Sequence, residues 1–424
     1  LAYACGNNDK STTEEPKKEI VAAFDMANID STFSPCEDFE QFAVGNWLKN
    51  NPVPDSESRW GSFSVVHDAN EIKLRKIVED AANSKGEKGS ALQQVGDFYT
   101  SALDSTKVNE LGITPIQPML DQIDAISNAQ ELVETMAETR KYGSGALFGY
   151  YVYIDSKKSD EYITYLSQGG LGLPDKSFYT PADERGENIL AEYKKHVKAL
   201  FVLKGESEEE ATKSAEMVLT VENLLADKSM DRVERRDPEK TYNKMTIEEL
   251  QALVPAINWE SFFKKAEIDN IKEVVVGQPE FIKMYNSALT EIPLDTWKTY
   301  MKFHLINDFA DDLSIEFEKQ VFSFYSTILR GTSEMKPRWK RALSKSNEDL
   351  TIPFAFLTNP IKPKAPPVHN ISSLLALSPL RNILSTKGNC LSWLSVNSAK
   401  SFEVAPTKSE PKLAISNAAL PAAA

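Results

Sequence analysis

The chain has 424 residues, 41% of them hydrophobic, and carries 62 acidic against 48 basic side chains for a formal net charge of −14. Length and apolar content suffice for a large core or several, while the acidic balance lacks the basic stripe that nucleic acid requires, so no nucleic-acid partner is expected. No apolar run reaches the roughly eighteen residues of a membrane-spanning helix, and three cysteines, Cys5, Cys36 and Cys390, are too few and too scattered for a disulfide framework.

In chain order, residues 1–22 come first. Leu1-Ala2-Tyr3-Ala4-Cys5-Gly6 runs into a polar stretch from Asn7 to Glu19. Small residues before a cysteine and a flexible tether after it resemble the end of a bacterial lipoprotein signal. The resemblance implies lipidation at Cys5 and a place in the bacterial cell envelope, on the periplasmic or surface side, with acyl chains holding the protein to a membrane without spanning it. The plainer reading is an ordinary exposed N-terminal cysteine. Cys36 reads as a half-buried small hydrophobe, not a reactive thiol.

From residue 23 to 344 the pattern is mainly α. N-cap hydroxyls paired with an acceptor three residues on, at Ser127/Gln130, Ser207/Glu210 and Thr246/Glu249, each lead into apolar residues at helical spacing. Two periodic runs, Leu132 to Tyr142 and Leu190 to Phe201, stop at Gly143 and Gly205. Leu147 to Ile154 and Tyr162 to Leu166 are β-branched and aromatic runs separated by the polar segment 155–160, the signature of one hairpin with a longer loop. The glycines of Gly169-Gly170-Leu171-Gly172 suit a tight backbone path better than phosphate binding, because no helix start follows them directly. A run from Trp297 to Leu329, with Phe303, Ile306, Phe309, Leu313, Phe317 and Phe324, predicts one or two core helices, its aromatic stripe serving packing.

Residues 345–424 differ in kind. They hold 9 of the 22 prolines, 11 serines and only 4 acidic residues, with no continuous helical period. This composition predicts an irregular, largely disordered tail, either a frameshifted reading or a joined segment. Three domains are therefore expected: 1–22 tether, 23–344 helical body, 345–424 tail.

The motifs Pro35-Cys36-Glu37-Asp38-Phe39, Gly45-Asn46-Trp47-Leu48, Ser58-Arg59-Trp60-Gly61-Ser62-Phe63, Gly172-Leu173-Pro174, Tyr242-Asn243-Lys244-Met245 and Gly331-Thr332-Ser333-Glu334 with Arg338-Trp339 stand in register. In that order they resemble the N-terminal domain of the neprilysin-like zinc metallopeptidases, peptidase family M13. The resemblance implies a helical, lid-type domain with a small β-hairpin, and proteolysis of oligopeptides by a zinc site built on His-Glu-x-x-His. That spacing puts two imidazoles on one helix face toward one metal, with the Glu as general base on its water. The four histidines here, His67, His196, His304 and His369, include no such pair. Zinc belongs to the intact family and none is expected bound to this chain. His304 with Asp308, Asp311 and Asp312 is the one improvised alternative. Family cysteine positions beyond Cys36 are Val44 and Ala102 here, so packing and not disulfides must hold the body.

One functional residue transfers by the resemblance. Arg59 stands where the family binds the free C-terminal carboxylate of a peptide, a task that suits a bidentate guanidinium. Ser64 and His67 depart from the animal pattern nearby. From the residues alone, Arg59 would instead lie on Trp60 or pair with Glu57. The resemblance makes the chain the substrate-enclosing domain of a neprilysin-like zinc metalloendopeptidase whose catalytic zinc half is absent; the alternative is a non-catalytic helical envelope lipoprotein that binds peptides or another envelope component.

Overall fold

Short polar side chains start the helices of the body. In the computed structural model, which describes residues 25–84 and 86–350, Asp38 caps α1 (Phe39–Asn50) and Gly61 precedes α2 (Ser62–Asn83). Ser90 caps α3 (Ala91–Leu103), Asp104 caps α4 (Ser105–Leu111), and α5 (Gln117–Asp124) follows. Cys5, His369, Cys390, and all of the tail beyond 350 lie outside the described residues. Of the three expected capping boxes, those at Ser207/Glu210 and Thr246/Glu249 are complete. The first is displaced by one residue: Asn128 caps α6 (Ala129–Arg140), and the Glu131 carboxylate reaches back to the Ser127 amide at 2.8 Å. Both expected stops have positive φ, 105° at Gly143 and 113° at Gly205.

The hairpin forms as β1 (Phe148–Asp155) and β2 (Lys158–Gln168), with a tighter turn than the polar segment suggested. Asp155 explains the difference. Its buried carboxylate accepts from the Lys157 amide at 2.9 Å and the Tyr242 hydroxyl at 2.8 Å, folding the turn at Ser156–Lys157 and leaving the following polar residues in a solvent-facing strand. The hairpin is also not alone, as the sequence reading had it. After α7 (Glu184–Lys204) and α8 (Glu208–Lys228), β3 (Asn243–Thr246) and β4 (Glu273–Val276) complete a four-stranded sheet of order β1-β2-β4-β3, β4 running parallel to β2. Four-residue strands give no readable alternation, although Val274-Val275-Val276 is a β-branched run that could have signalled one.

Between β3 and β4 lies α9 (Trp259–Lys265). The long aromatic run then divides into α10 (Leu294–Phe309) and α11 (Ile315–Val321), followed by a π-helical segment, Phe322–Ile328. The last helix, α12 (Arg338–Asp349), runs through the boundary drawn at 344, because Leu343 and Ser346 are buried and Lys345 is held by Asp312. Cys36 requires a correction. It is exposed, lying in the turn before α1 with its amide donating to Ser34 Oγ at 3.3 Å.

Two separate apolar clusters result among the described residues. The larger takes its buried residues from Ile116 to Phe324, with α10 at its centre and Phe148, Trp259, Phe262 and Tyr285 packed edge to face. The smaller is made by α2, α3, α4 and α12 through Val78, Val95, Phe98, Tyr99 and Leu343.

One polar group sits fully inside the larger core. Glu222 of α8 is 0% exposed, and its carboxylate accepts from Tyr193 Oη (2.9 Å), Tyr179 Oη (3.0 Å), the Gly172 amide (3.0 Å) and His304 Nε2 (3.0 Å). Gly172 is required there, since a Cβ would lie 1.8 Å from Tyr193 Oη. The glycine-rich segment is thus a close backbone path, as its sequence suggested. His196 is equally buried, stacked on Phe324, with Nε2 toward Asn307 Oδ1 at 2.9 Å and Nδ1 accepting from Gln320 at 3.2 Å.

Glu222→Ala strands three buried donors and the half-buried Gly172 amide at once, so it is expected to cost about 3–5 kcal/mol in urea unfolding, with Glu222→Gln costing less because it keeps an acceptor oxygen. Burial pushes the His196 imidazole down to about 4 from its ordinary 6.5. A base that binds its proton more weakly folded than unfolded removes stability as pH falls from 6.5 toward 4, here by about 3 kcal/mol. Unfolding measured across that window should show the loss, and His196→Phe should flatten it.

Candidate functional site

Where the two cores face one another a cleft of about 710 Å³ opens, lined among others by Ser58, His67, Glu318, Tyr325, Arg330 and Lys345. The π-helical segment forms part of its wall through Phe322, Tyr325 and Ser326. Such turns are rare and recur at functional positions. Here Tyr325 Oη is turned to the Gly172 carbonyl at 3.0 Å, which ties this wall to the Glu222 cluster.

Arg59 is placed by a pinned loop. The amides of Ser333 and Glu334 both donate to the Asp55 carbonyl, at 3.0 and 3.1 Å, and Lys336 pairs with Glu57 at 2.7 Å. Ser56, Glu57 and Ser58 line the cleft, and Arg59 is the next residue, exposed, just before α2. Glu57 is therefore engaged by Lys336 and not by Arg59. Among the described residues Arg59 makes no hydrogen bond, ion pair or ring contact, so its guanidinium fork is available to a ligand.

The improvised metal site does not assemble. His304 spends its Nε2 on Glu222, Asp308 accepts from the Gly145 amide at 2.7 Å, and Asp312 accepts from Lys345 at 3.1 Å. His67 is exposed and 3.5 Å from Glu71, while His196 is buried between Asn307 and Gln320. Among the described residues no group of three His, Cys, Asp or Glu side chains is arranged to hold a metal ion. The described donors do not fit a catalytic zinc, which takes three protein ligands and an open position.

Sequence reasoning singled out Arg59, the residue after cleft-lining Ser58, and did not single out Glu318, Tyr325 or Arg330 of the lining. Glu318, Tyr325 and Arg330 carry no local motif, and only the basic cluster Arg338, Lys340, Arg341 hinted that a charged partner stood opposite.

Comparison with known proteins follows the same outline. The model described as Peptidase family M13 matches residues 35–357. Human endothelin-converting enzyme 1 is 28% identical over 391 residues, covering 89% of this chain and 50% of that protein. Neprilysin-3 of Drosophila melanogaster is 27% identical over 343 residues, covering 76% and 43%. Among solved structures, the Mycobacterium tuberculosis zinc metalloprotease ZMP1 in complex with inhibitor superposes with a TM-score of 0.76 at 30% identity, over 79% of this chain and 51% of that one. The same protein in an open state gives a TM-score of 0.68, also at 30% identity, over 77% and 51%. The chain spans about half the length of the relatives it matches. With the helical body, the small sheet and most of the chain's length in agreement, the chain belongs to peptidase family M13.

Proposed function

We propose that this chain is the substrate-enclosing half of a neprilysin-like zinc metalloendopeptidase acting on oligopeptides, the zinc and its general base coming from sequence other than these 424 residues. The observation that carries the reading is the family match over 35–357, in a chain that spans about half of its relatives. Among the described residues no three His, Cys, Asp or Glu side chains are arranged to hold a metal ion, which supports the division of labour. So does the outer surface of α1 and α2. Phe63 is 90% and Ile72 60% exposed, with Phe39, Leu48 and Val66 also bare, an apolar surface suited to a further lobe. In this reading Arg59 takes the C-terminal carboxylate of the peptide, and the cleft walls exclude large substrates.

The test is reconstitution in trans with the zinc-bearing half of an M13 relative. Alone, the chain is expected to leave a short reporter peptide uncut; the mixture should cleave it. Arg59→Ala should then lower kcat/KM, mainly through KM, by a factor of roughly ten to a hundred for peptides with a free C-terminus, the equivalent of about 1.5–3 kcal/mol. Amidated peptides should change little. Equal loss on both would make Arg59 structural.

We also propose lipidation at Cys5 and an envelope location, from the small residues before that cysteine and the polar tether after it. No helix among the described residues is long and apolar enough to cross a membrane. Expressed behind a complete lipoprotein signal, the chain should fractionate with membranes and Cys5→Ala should release it; identical partition of the two forms would refute lipidation.

A further inference from the structure

The two cores are joined in a way that the cleft alone does not require. Among the described residues the chain crosses between them twice, once from α4 into α5 and once from the π-helical segment into α12. Each crossing holds a glycine at positive φ, Gly112 at 56° and Gly331 at 77°. At neither would a Cβ meet any atom within 4 Å. Room is not what these positions need, so the glycines serve backbone freedom.

Helix α12 binds the two cores by different physics. It packs into the smaller core through Ala342, Leu343 and Leu350, and it grips the larger one through charge. Arg341 Nε lies 2.6 Å from Glu318 Oε1, Arg341 Nη2 3.3 Å and Arg338 Nη1 3.2 Å from Glu318 Oε2. Lys345 adds a pair with Asp312 at 3.1 Å. The side chains of Glu318 and Asp312 are only 4% and 7% exposed. Both guanidinium groups are also steadied on their own side, Arg338 by the Ala102 carbonyl at 2.8 Å and Arg341 by the Lys336 carbonyl.

We propose that Glu318 is the catch of an ionic clasp that sets the angle between the two cores, which turn about Gly112 and Gly331, and that the clasp thereby fixes the width of the cleft. An apolar seam would yield by degrees. A buried carboxylate held by two arginines does not, because partial separation leaves it both desolvated and unpaired. The pairing is therefore either made or broken, which gives the chain two discrete arrangements. Near Gly112 the Asn109 side chain still accepts from the Ile315 amide at 2.9 Å, a contact close to the crossing that can persist through a rotation. The clasp concerns the chain's own conformation and holds whether or not the cleft takes peptides.

The test measures the angle directly on the full chain. With Cys5, Cys36 and Cys390 changed to Ser, spin labels at Lys73→Cys on α2 and Lys213→Cys on α8, both exposed in the parent, report the distance between the bodies by pulsed electron resonance. The parent should give one narrow distribution. Glu318→Gln, which keeps shape and removes charge, should broaden it or add a second population, and Arg338→Gln with Arg341→Gln should do the same. Adding Glu318→Gln to the arginine pair should change nothing more. Lys265→Gln, which removes an exposed pair within the larger core, should leave the distribution narrow. A parent already broad, or a narrow distribution in folded Glu318→Gln, would overturn the clasp. Should Glu318→Gln fold poorly, hydrogen exchange decides: both cores retaining protection while α12 and the two crossings lose it supports the clasp, and joint loss from both cores refutes it.

Discussion

The buried carboxylate of Glu222 is the constraint on which the rest of the larger core depends. A charge-bearing group with no access to water must have its hydrogen-bonding capacity met from within. Meeting it fixes α8 against α7 through Tyr193, against α10 through His304, and against the 169–175 segment through the Gly172 amide and Tyr179. From that segment Tyr300 and Tyr325 carry the register outward, to the base of β1 and to the cleft wall. The same demand occupies the Nε2 of His304, which is committed to Glu222.

Apolar and ionic forces divide the molecule between them. Each core is held by interdigitated side chains, which tolerate no gap and define a rigid body. The seam between the cores is bridged by arginine, lysine and carboxylate groups, and beside it a cleft stays open to solvent. Of the charges that line the cleft, Lys336, Lys340, Arg341 and Lys345 are engaged by acidic neighbours, whereas Arg59, the residue after cleft-lining Ser58, is not engaged among the described residues.

Much of the body was legible because its signals are local. The Ser207 and Thr246 capping boxes, the stops at Gly143 and Gly205, and the hairpin runs act over a few residues, and the structure reproduces them with shifts of a residue or so. The exceptions were also physical. The Asp155 turn tightened because distant Tyr242 and Lys244 reward burying that carboxylate, and β4 formed because β2 was there to pair with it. Helix α12 outran the expected boundary because its partners lie on α2, α3 and α11, far away in sequence.

By itself the sequence determined the class of fold, the family resemblance, Arg59 as a candidate contact, and the lack of any His-Glu-x-x-His spacing, all of which follow from residue type and short-range order. Tertiary structure alone decided that Glu222 is the organising acceptor, that the described residues form two cores and not one, that Cys36 is exposed, and that Glu318 pairs with two arginines at the seam between those cores. Each of these is a meeting of side chains brought together from separate helices, and no local pattern records which charge will find which partner once the chain has closed on itself.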